Sequence, residues 1–218
     1  LSNRGGLENI AVKAATERNI PILNNPAHNT NGVAELAIGL MVTETRNVAR
    51  AHMGLKNGVW REDYPNKLDI WELKGKTVGI IGLGKIGSRT AELFNAFGCR
   101  ILAQSRTIHK EVPAYIEQVT QEELLANSDI VVLHCPLNES TRGMINAEKL
   151  SVMKPTAMLI NVARGPVVVE KDLAEALSKG VIACAGIDVF DKEPPLDIES
   201  PLLKAPHTLV TPHVAFAT

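Results

Sequence analysis

The stretch that most constrains this chain runs from Lys76 to Phe97, KTVGIIGLGKIGSRTAELFNAF, where the hydrophobic period changes once and glycines mark the change. Thr77–Ile81 is a short, apolar, β-branched run of the kind a strand buried on both faces requires. After it, Ile86, Thr90, Leu93, Phe94 and Phe97 recur at helical spacing, and Gly98 supplies a stop. Between strand and helix lies Gly82-Leu83-Gly84-Lys85-Ile86-Gly87, a G-x-G-x-x-G. The glycines serve three separate ends. Gly82 permits the tight turn, Gly84 lets the backbone approach a pyrophosphate, and Gly87 lets helix and strand pack closely. The phosphates then meet free N–H groups at the positive end of the helix.

With 16 glycines in 218 residues, such a match can arise by accident, as a glycine-rich turn with no ligand. Its context argues otherwise. A strand precedes it, a helix follows, and a second strand, Arg100–Gln104, ends at Ser105, where a ribose-reading residue belongs. The expectation is a dinucleotide-binding fold.

The rest of the chain extends that pattern. After the second strand, Thr120-Gln121-Glu122-Glu123 forms a capping box ahead of Leu124-Leu125. Strands are expected at 129–134, 157–162, 182–189 and 208–211, and helices at 147–153 and 170–179. Alternating strands and helices predict an α/β, doubly wound parallel sheet of Rossmann type. Ligands in such sheets bind beyond the carboxyl ends of the strands, which here carry Gly82, Ser105, Cys135, Arg164, Asp188 and His213. Upstream, 10–15 reads as a short helix and Pro21-Ile22-Leu23 as a short strand. Asn29-Thr30-Asn31 offers N-caps to a long amphipathic helix over 33–57, whose stripe of Leu36, Ala37, Leu40, Met41 and Val48 suits a domain joint, a subunit contact or a plain core helix. Residues 54–75 read as a surface loop.

Charge and cysteine usage narrow the function. The 23 basic and 24 acidic residues leave a net charge of −1 with no basic block, which argues against nucleic acid as a partner. Cys99, Cys135 and Cys184 are odd in number, widely spaced and set in apolar sequence. They read as buried free thiols of a cytoplasmic protein, with neither a disulfide frame nor a metal site. No apolar run approaches the ~20 residues of a membrane span. The opening at Leu1 without methionine reads as a fragment.

Taken singly, Arg164, Glu193 and His213 each have an ordinary reading as a strand cap, a solvated loop carboxylate and a structural histidine. Arg164 and His213, however, each follow a predicted strand on the cofactor side, and Glu193 lies shortly after another. The chain resembles the D-isomer-specific 2-hydroxyacid dehydrogenases over essentially its whole length. The matching stretches are Val33-Ala34-Glu35, the Gly79 to Gly87 segment, His134-Cys135-Pro136-Leu137, Asn161-Val162-Ala163-Arg164-Gly165, Asp188-Val189-Phe190 with Glu193-Pro194, and Thr211-Pro212-His213. Residues 1–25 resemble the end of a flavodoxin-like substrate domain. Residues 26–212 resemble the cofactor domain with its inter-domain helix 33–57, and 213–218 the start of the return to the substrate domain. Longer chain before and after is implied by the same resemblance.

The resemblance implies an oxidoreductase that transfers hydride between NAD(P)H and a 2-keto or D-2-hydroxy acid. It assigns His213 as the acid and base, a role a near-neutral imidazole suits. Glu193 becomes its orienting carboxylate, and Arg164 the forked guanidinium that holds the substrate carboxylate and polarises the carbonyl. Asp188 is placed beside the nicotinamide carboxamide. Thr30, Gly82, Gly84, Lys85, Ile86, Gly87, Cys135, Val162 and Ala163 line the cofactor, and Arg4, Gly5 and Gly6 help hold the substrate. A homodimer is implied, with 33–57 as its contact. Where NAD-preferring members carry an aspartate after the second strand, this chain has Ser105 and then Arg106, so the expected cofactor is NADP, with NAD as the alternative. Two other readings stay open: a cofactor-sensing regulator of the same fold, and a formate- or phosphite-type dehydrogenase.

Overall fold

A computed structural model describes residues 10–23, 25, 28–60, 70–108, 111–194 and 196–217. In chain order they form α1 (Val12–Glu17), α2 (Thr30–Thr45), α3 (Val48–Lys56), β1 (Thr77–Ile81), α4 (Lys85–Ala96), β2 (Arg100–Gln104), β3 (Ile116–Gln118) and α5 (Gln121–Asn127). Then follow β4 (Ile130–Leu133), α6 (Ala147–Val152), β5 (Met158–Asn161), α7 (Glu170–Ser178), β6 (Cys184–Ile187), α8 (Pro201–Lys204) and β7 (Thr208–Val210). All seven strands pair in parallel in the order β3-β2-β1-β4-β5-β6-β7. Strand order reverses between β1 and β4, and that switch point opens a crevice at the carboxyl ends.

Both faces of the sheet are covered, which is why β4 reads as an unbroken apolar run and β5 is apolar up to its last residue. On one face Val78, Ile80, Ile101, Val132 and Ile160 pack against α2 and α4 through Ala37, Leu40, Met41, Ala91 and Phe94. On the other, Ile81, Val131, Leu133 and Leu159 meet Leu124, Leu150, Leu173 and Leu177 of α5, α6 and α7. The capping box forms as expected: Thr120 Oγ1 accepts from the Glu123 N–H at 3.2 Å, and the Glu123 carboxylate accepts from the Thr120 N–H at 3.0 Å.

Several expectations are corrected. The helix expected over 33–57 starts at Thr30 and breaks after Thr45, because Asn47 takes a left-handed φ of 55°. Arg50 braces the break, donating to Glu44 at 2.7 Å and to the Asn47 side chain at 3.2 Å. Its first half, α2, is a core helix laid on the sheet, whereas α3 buries no residue. Pro21-Ile22-Leu23 forms no strand. Phe97 falls off the buried face of α4 and is exposed; Gly87 and Ala91 occupy that face instead. The short β3 and α8 carry too few apolar positions to stand out in the sequence.

The packing of β1 on α4 depends on one glycine. A Cβ on Gly87 would lie 2.0 Å from the Gly82 carbonyl oxygen, a backbone atom that cannot swing aside. Gly87→Ala is expected to destabilise the fold by at least about 3 kcal/mol, the upper range of an overpacked core. Urea unfolding measures this, and an unchanged midpoint would contradict the packing.

Candidate active site

β1 is followed by Gly82, whose φ of 103° suits glycine. A Cβ there would press 2.7 Å from the backbone of His134 and Cys135 at the end of β4. The glycine loop is thus wedged into the switch-point crevice. Gly84 is the N-cap of α4, and no side chain caps that end. Unlike its two neighbours in the motif, Gly84 faces open space: a Cβ there meets nothing within 4 Å. A 12-residue helix presenting uncapped N–H groups to an open, side-chain-free approach fits the pyrophosphate of a dinucleotide.

The other expected cofactor residues lie at strand ends and helix starts of the same sheet. Lys85 and Ile86 open α4, and Cys135, Val162 and Ala163 are buried at the ends of β4 and β5. Thr30 opens α2, and the neighbouring Asn31 side chain accepts from Arg89 Nε at 3.1 Å, tying that helix start to α4. After β2, Ser105 Oγ donates to the Thr107 carbonyl and Arg106 is exposed. Burial pushes the Cys135 thiol up to about 11, so it stays protonated at neutral pH. Among the described residues no group of three His, Cys, Asp or Glu side chains could hold a metal ion.

The acid–base candidates meet at the ends of β5, β6 and β7. His213 Nδ1 pairs with Glu193 Oε2, and Glu193 Oε1 accepts from the Phe190 N–H at 2.5 Å. That engagement leaves Nε2 as the ring atom for proton exchange. His213 has a φ of 52°, a left-handed conformation rare for residues with a Cβ and concentrated at functional sites. Phe216 meets the imidazole edge-on, with ring centroids 5.7 Å apart. Arg164 follows β5 and is half-buried, its Nη1 donating to the Ala163 carbonyl at 2.7 Å. The next residue, Gly165, is pressed on the Phe190 peptide: a Cβ would lie 1.9 Å from the Phe190 carbonyl carbon. The structure therefore brings Arg164, Glu193 and His213 to one end of the sheet, the end that holds the glycine loop. Arg4, Gly5 and Gly6 lie outside the described residues.

Asp188 has a structural role that its place in the sequence did not reveal. It is fully buried, and its carboxylate accepts from the Thr211 hydroxyl at 2.5 Å and from the N–H groups of Val214 and Ala215, both at 2.9 Å. One carboxylate thus holds the turn that carries His213. Glu170 was not expected at the site at all: it accepts from the Asp191 N–H at 2.6 Å, steadying the turn that carries Glu193. Burial pushes the Glu170 carboxyl up. The partners lie 21 to 27 positions apart, beyond any local signal.

The sequence profile described as "D-isomer specific 2-hydroxyacid dehydrogenase, NAD binding domain" matches residues 38–215. The chain is 41% identical over 214 residues to a hydroxypyruvate reductase of Thermotoga maritima, covering 98% of this chain and 69% of that protein. It superposes with a TM-score of 0.87 on D-lactate dehydrogenase from Aquifex aeolicus complexed with NAD and lactic acid, at 29% identity, covering 98% of this chain and 68% of that one. An acyclic imino acid reductase in complex with NADPH and D-Arg gives a TM-score of 0.84 at 31% identity, over 95% of this chain and 65% of that one. The chain spans between 40% and 69% of the length of the first curated relatives it matches.

His134, at the end of β4, supplies a pH test of this region. Its Nε2 is buried with no hydrogen-bond partner among the described residues, and burial pushes its pKa down from 6.5 to about 3. The unfolded chain takes up this proton near pH 6.5 and the folded chain does not. Stability from this group is therefore full above that pH and declines as pH falls, by up to about 1.4 kcal/mol per pH unit. His134→Asn is expected to flatten the slope of unfolding free energy between pH 6.5 and 5, measured in urea. Parallel slopes for the two proteins would contradict a buried neutral imidazole.

Proposed function

Because the chain belongs to the D-isomer specific 2-hydroxyacid dehydrogenase family, we propose that it interconverts a 2-keto acid and a D-2-hydroxy acid with a nicotinamide dinucleotide. The observation that carries this reading is the Glu193–His213 pair standing with Arg164 at the strand ends, on the side of the glycine loop. A protein that only sensed the cofactor has no use for all three.

Glycines 82, 84 and 87, with Lys85 and Ile86, hold the pyrophosphate at the start of α4, and Thr30, Cys135, Val162, Ala163 and Asp188 border the rest of the cofactor. When bound, the dinucleotide supplies a hydride to the keto carbon, or accepts one in the reverse direction. Arg164 grips the substrate carboxylate through its forked donors and draws electron density from the carbonyl. As charge develops on the keto oxygen, His213 Nε2 delivers its proton there, and in oxidation the neutral ring takes the hydroxyl proton back. Glu193 keeps Nδ1 protonated and the ring aimed. Asp188, through Thr211, Val214 and Ala215, holds the turn that presents that ring.

The same reading assigns residues 1–25 and 213–218 to a substrate domain, with Arg4, Gly5 and Gly6 contributing to the substrate carboxylate site. It places the chain in a reducing cytoplasm, in keeping with three buried free thiols. A homodimer is supported by the apolar side chains left exposed on and after α3: Val48 at 50%, Met53 at 56%, Leu55 at 59% and Trp60 at 66%.

Turnover of a panel of keto acids, including glyoxylate, hydroxypyruvate and pyruvate, tests the reaction. His213→Gln is expected to lower kcat by roughly 10²- to 10⁴-fold, the range of a lost general acid. Equal rates for the two proteins would overturn the assignment. The cofactor is NADP over NAD on this reading, since Ser105 leaves a 2′-phosphate unrepelled and Arg106 can pair with it. One charge-assisted bond is worth roughly 1.5 to 3 kcal/mol, about tenfold to a hundredfold in preference. Ser105→Asp is therefore expected to shift the ratio of NADPH to NADH affinity toward NADH by that factor, and an unchanged ratio would contradict it.

A further inference from the structure

The last residue of β5 is an asparagine in a strand that is otherwise Met158, Leu159 and Ile160. Asn161 is 1% exposed and flanked in the sheet by Leu133 and Ile187. A buried amide is costly unless both of its ends are bonded. Both are. Its Oδ1 accepts from the Ala163 N–H at 3.1 Å, and its Nδ2 donates to the Arg164 carbonyl at 3.1 Å. Its own carbonyl accepts from the Asp188 N–H at 3.0 Å. On the far side of Arg164, the contact of Gly165 with the Phe190 peptide leaves no slack.

We propose that Asn161 is a positioning residue for Arg164, its side-chain amide fixing the peptide from which the guanidinium reaches the substrate carboxylate. The amide closes the turn from within, while the tight packing of Gly165 on the Phe190 peptide bounds it from without. A leucine of similar size would fill the strand end equally well and hold nothing. Of the two side-chain bonds, the one from Nδ2 is decisive, because it reaches the Arg164 carbonyl, which also accepts from the Val167 N–H at 3.2 Å; the bond to Ala163 shapes the preceding step.

This proposal rests on the reading of Arg164 as the group that binds substrate, and the test separates the two. Asn161→Asp keeps an oxygen for the Ala163 N–H but sets an oxygen against the Arg164 carbonyl in place of the donor. The expected result is a rise of about tenfold or more in KM for the keto acid. The dissociation constant for NADPH or NADH, measured by calorimetry, stays within about threefold. As pH falls toward 5 the buried carboxyl takes up a proton, and its O–H can donate as the amide did. The KM ratio of variant to parent should therefore shrink, a response that loss of stability alone would not produce. Asn161→Ser, which can reach only one of the two backbone groups, provides the same KM measurement if the aspartate variant does not fold. Arg164→Lys is measured alongside. If Arg164→Lys raises KM and both Asn161 variants leave it at the parent value, the positioning role is overturned and the role of Arg164 stands. If Arg164→Lys also leaves KM unchanged, the functional reading falls and this proposal with it.

Discussion

Everything in this chain depends on how closely two glycines let backbone approach backbone. Gly87 rests on the carbonyl of Gly82, and Gly82 rests on the His134–Cys135 peptide. No side chain could be accommodated at either contact. The result is that β1, β4 and the first turn of α4 converge where the strand order reverses. A crevice lined by backbone, headed by a helix N-terminus, follows from those contacts and from the parallel sheet that both helical layers bury. Gly84 differs in kind: its space is open, so no packing contact within the fold demands a glycine there. A ligand approaching the backbone there would meet no side chain.

At the other side of the switch point, buried polar groups hold the loops that carry Arg164, Glu193 and His213. The ties form a closed circuit. Asn161 holds the Arg164 turn, Gly165 lies on the Phe190 peptide, and the Phe190 N–H binds Glu193. Glu193 pairs with His213, the His213 turn hangs on Asp188, and the Asp188 N–H returns to Asn161. Three side chains borne by separate loops are thereby kept in register without a substrate to gather them. Single changes in such a circuit are expected to be non-additive, because neighbours share partners.

Where a signal was local, the sequence was readable. β1 and β2 lie where their apolar runs place them, and the Thr120 capping box is a complete four-residue signature. The placement of Arg164, Glu193 and His213 at one end of the sheet was legible because each follows a strand. The break at Asn47 was hidden, because a left-handed asparagine, with neither glycine nor proline beside it, leaves the helical stripe uninterrupted. β3 was hidden because only one of its three residues, Ile116, is buried. The roles of Asn161 and Asp188 were only half visible: their places in motifs could be read, but their partners could not. Those for Asp188 stand 23 to 27 residues away and become neighbours only once β6 and β7 pair. Phe97 misled because it continues the spacing of Phe94 by three, while α4 ends at Ala96 and leaves Phe97 as its exposed C-cap.

The glycine loop is shaped for a dinucleotide as well as for packing, and at Gly84 the two demands separate. Calorimetric titration of the chain and of Gly84→Ala with NADH and NADPH, alongside urea unfolding of both, distinguishes them. Saturable binding by the parent chain is expected, with Gly84→Ala lowering the unfolding free energy by no more than the roughly 1 kcal/mol that alanine costs at a helix N-cap. The affinity of the variant should be weaker by at least about tenfold, as when one charge-assisted bond of roughly 1.5 to 3 kcal/mol is displaced. Equal binding by the two proteins, or no binding of either dinucleotide by a folded parent chain, would contradict a loop built for that ligand.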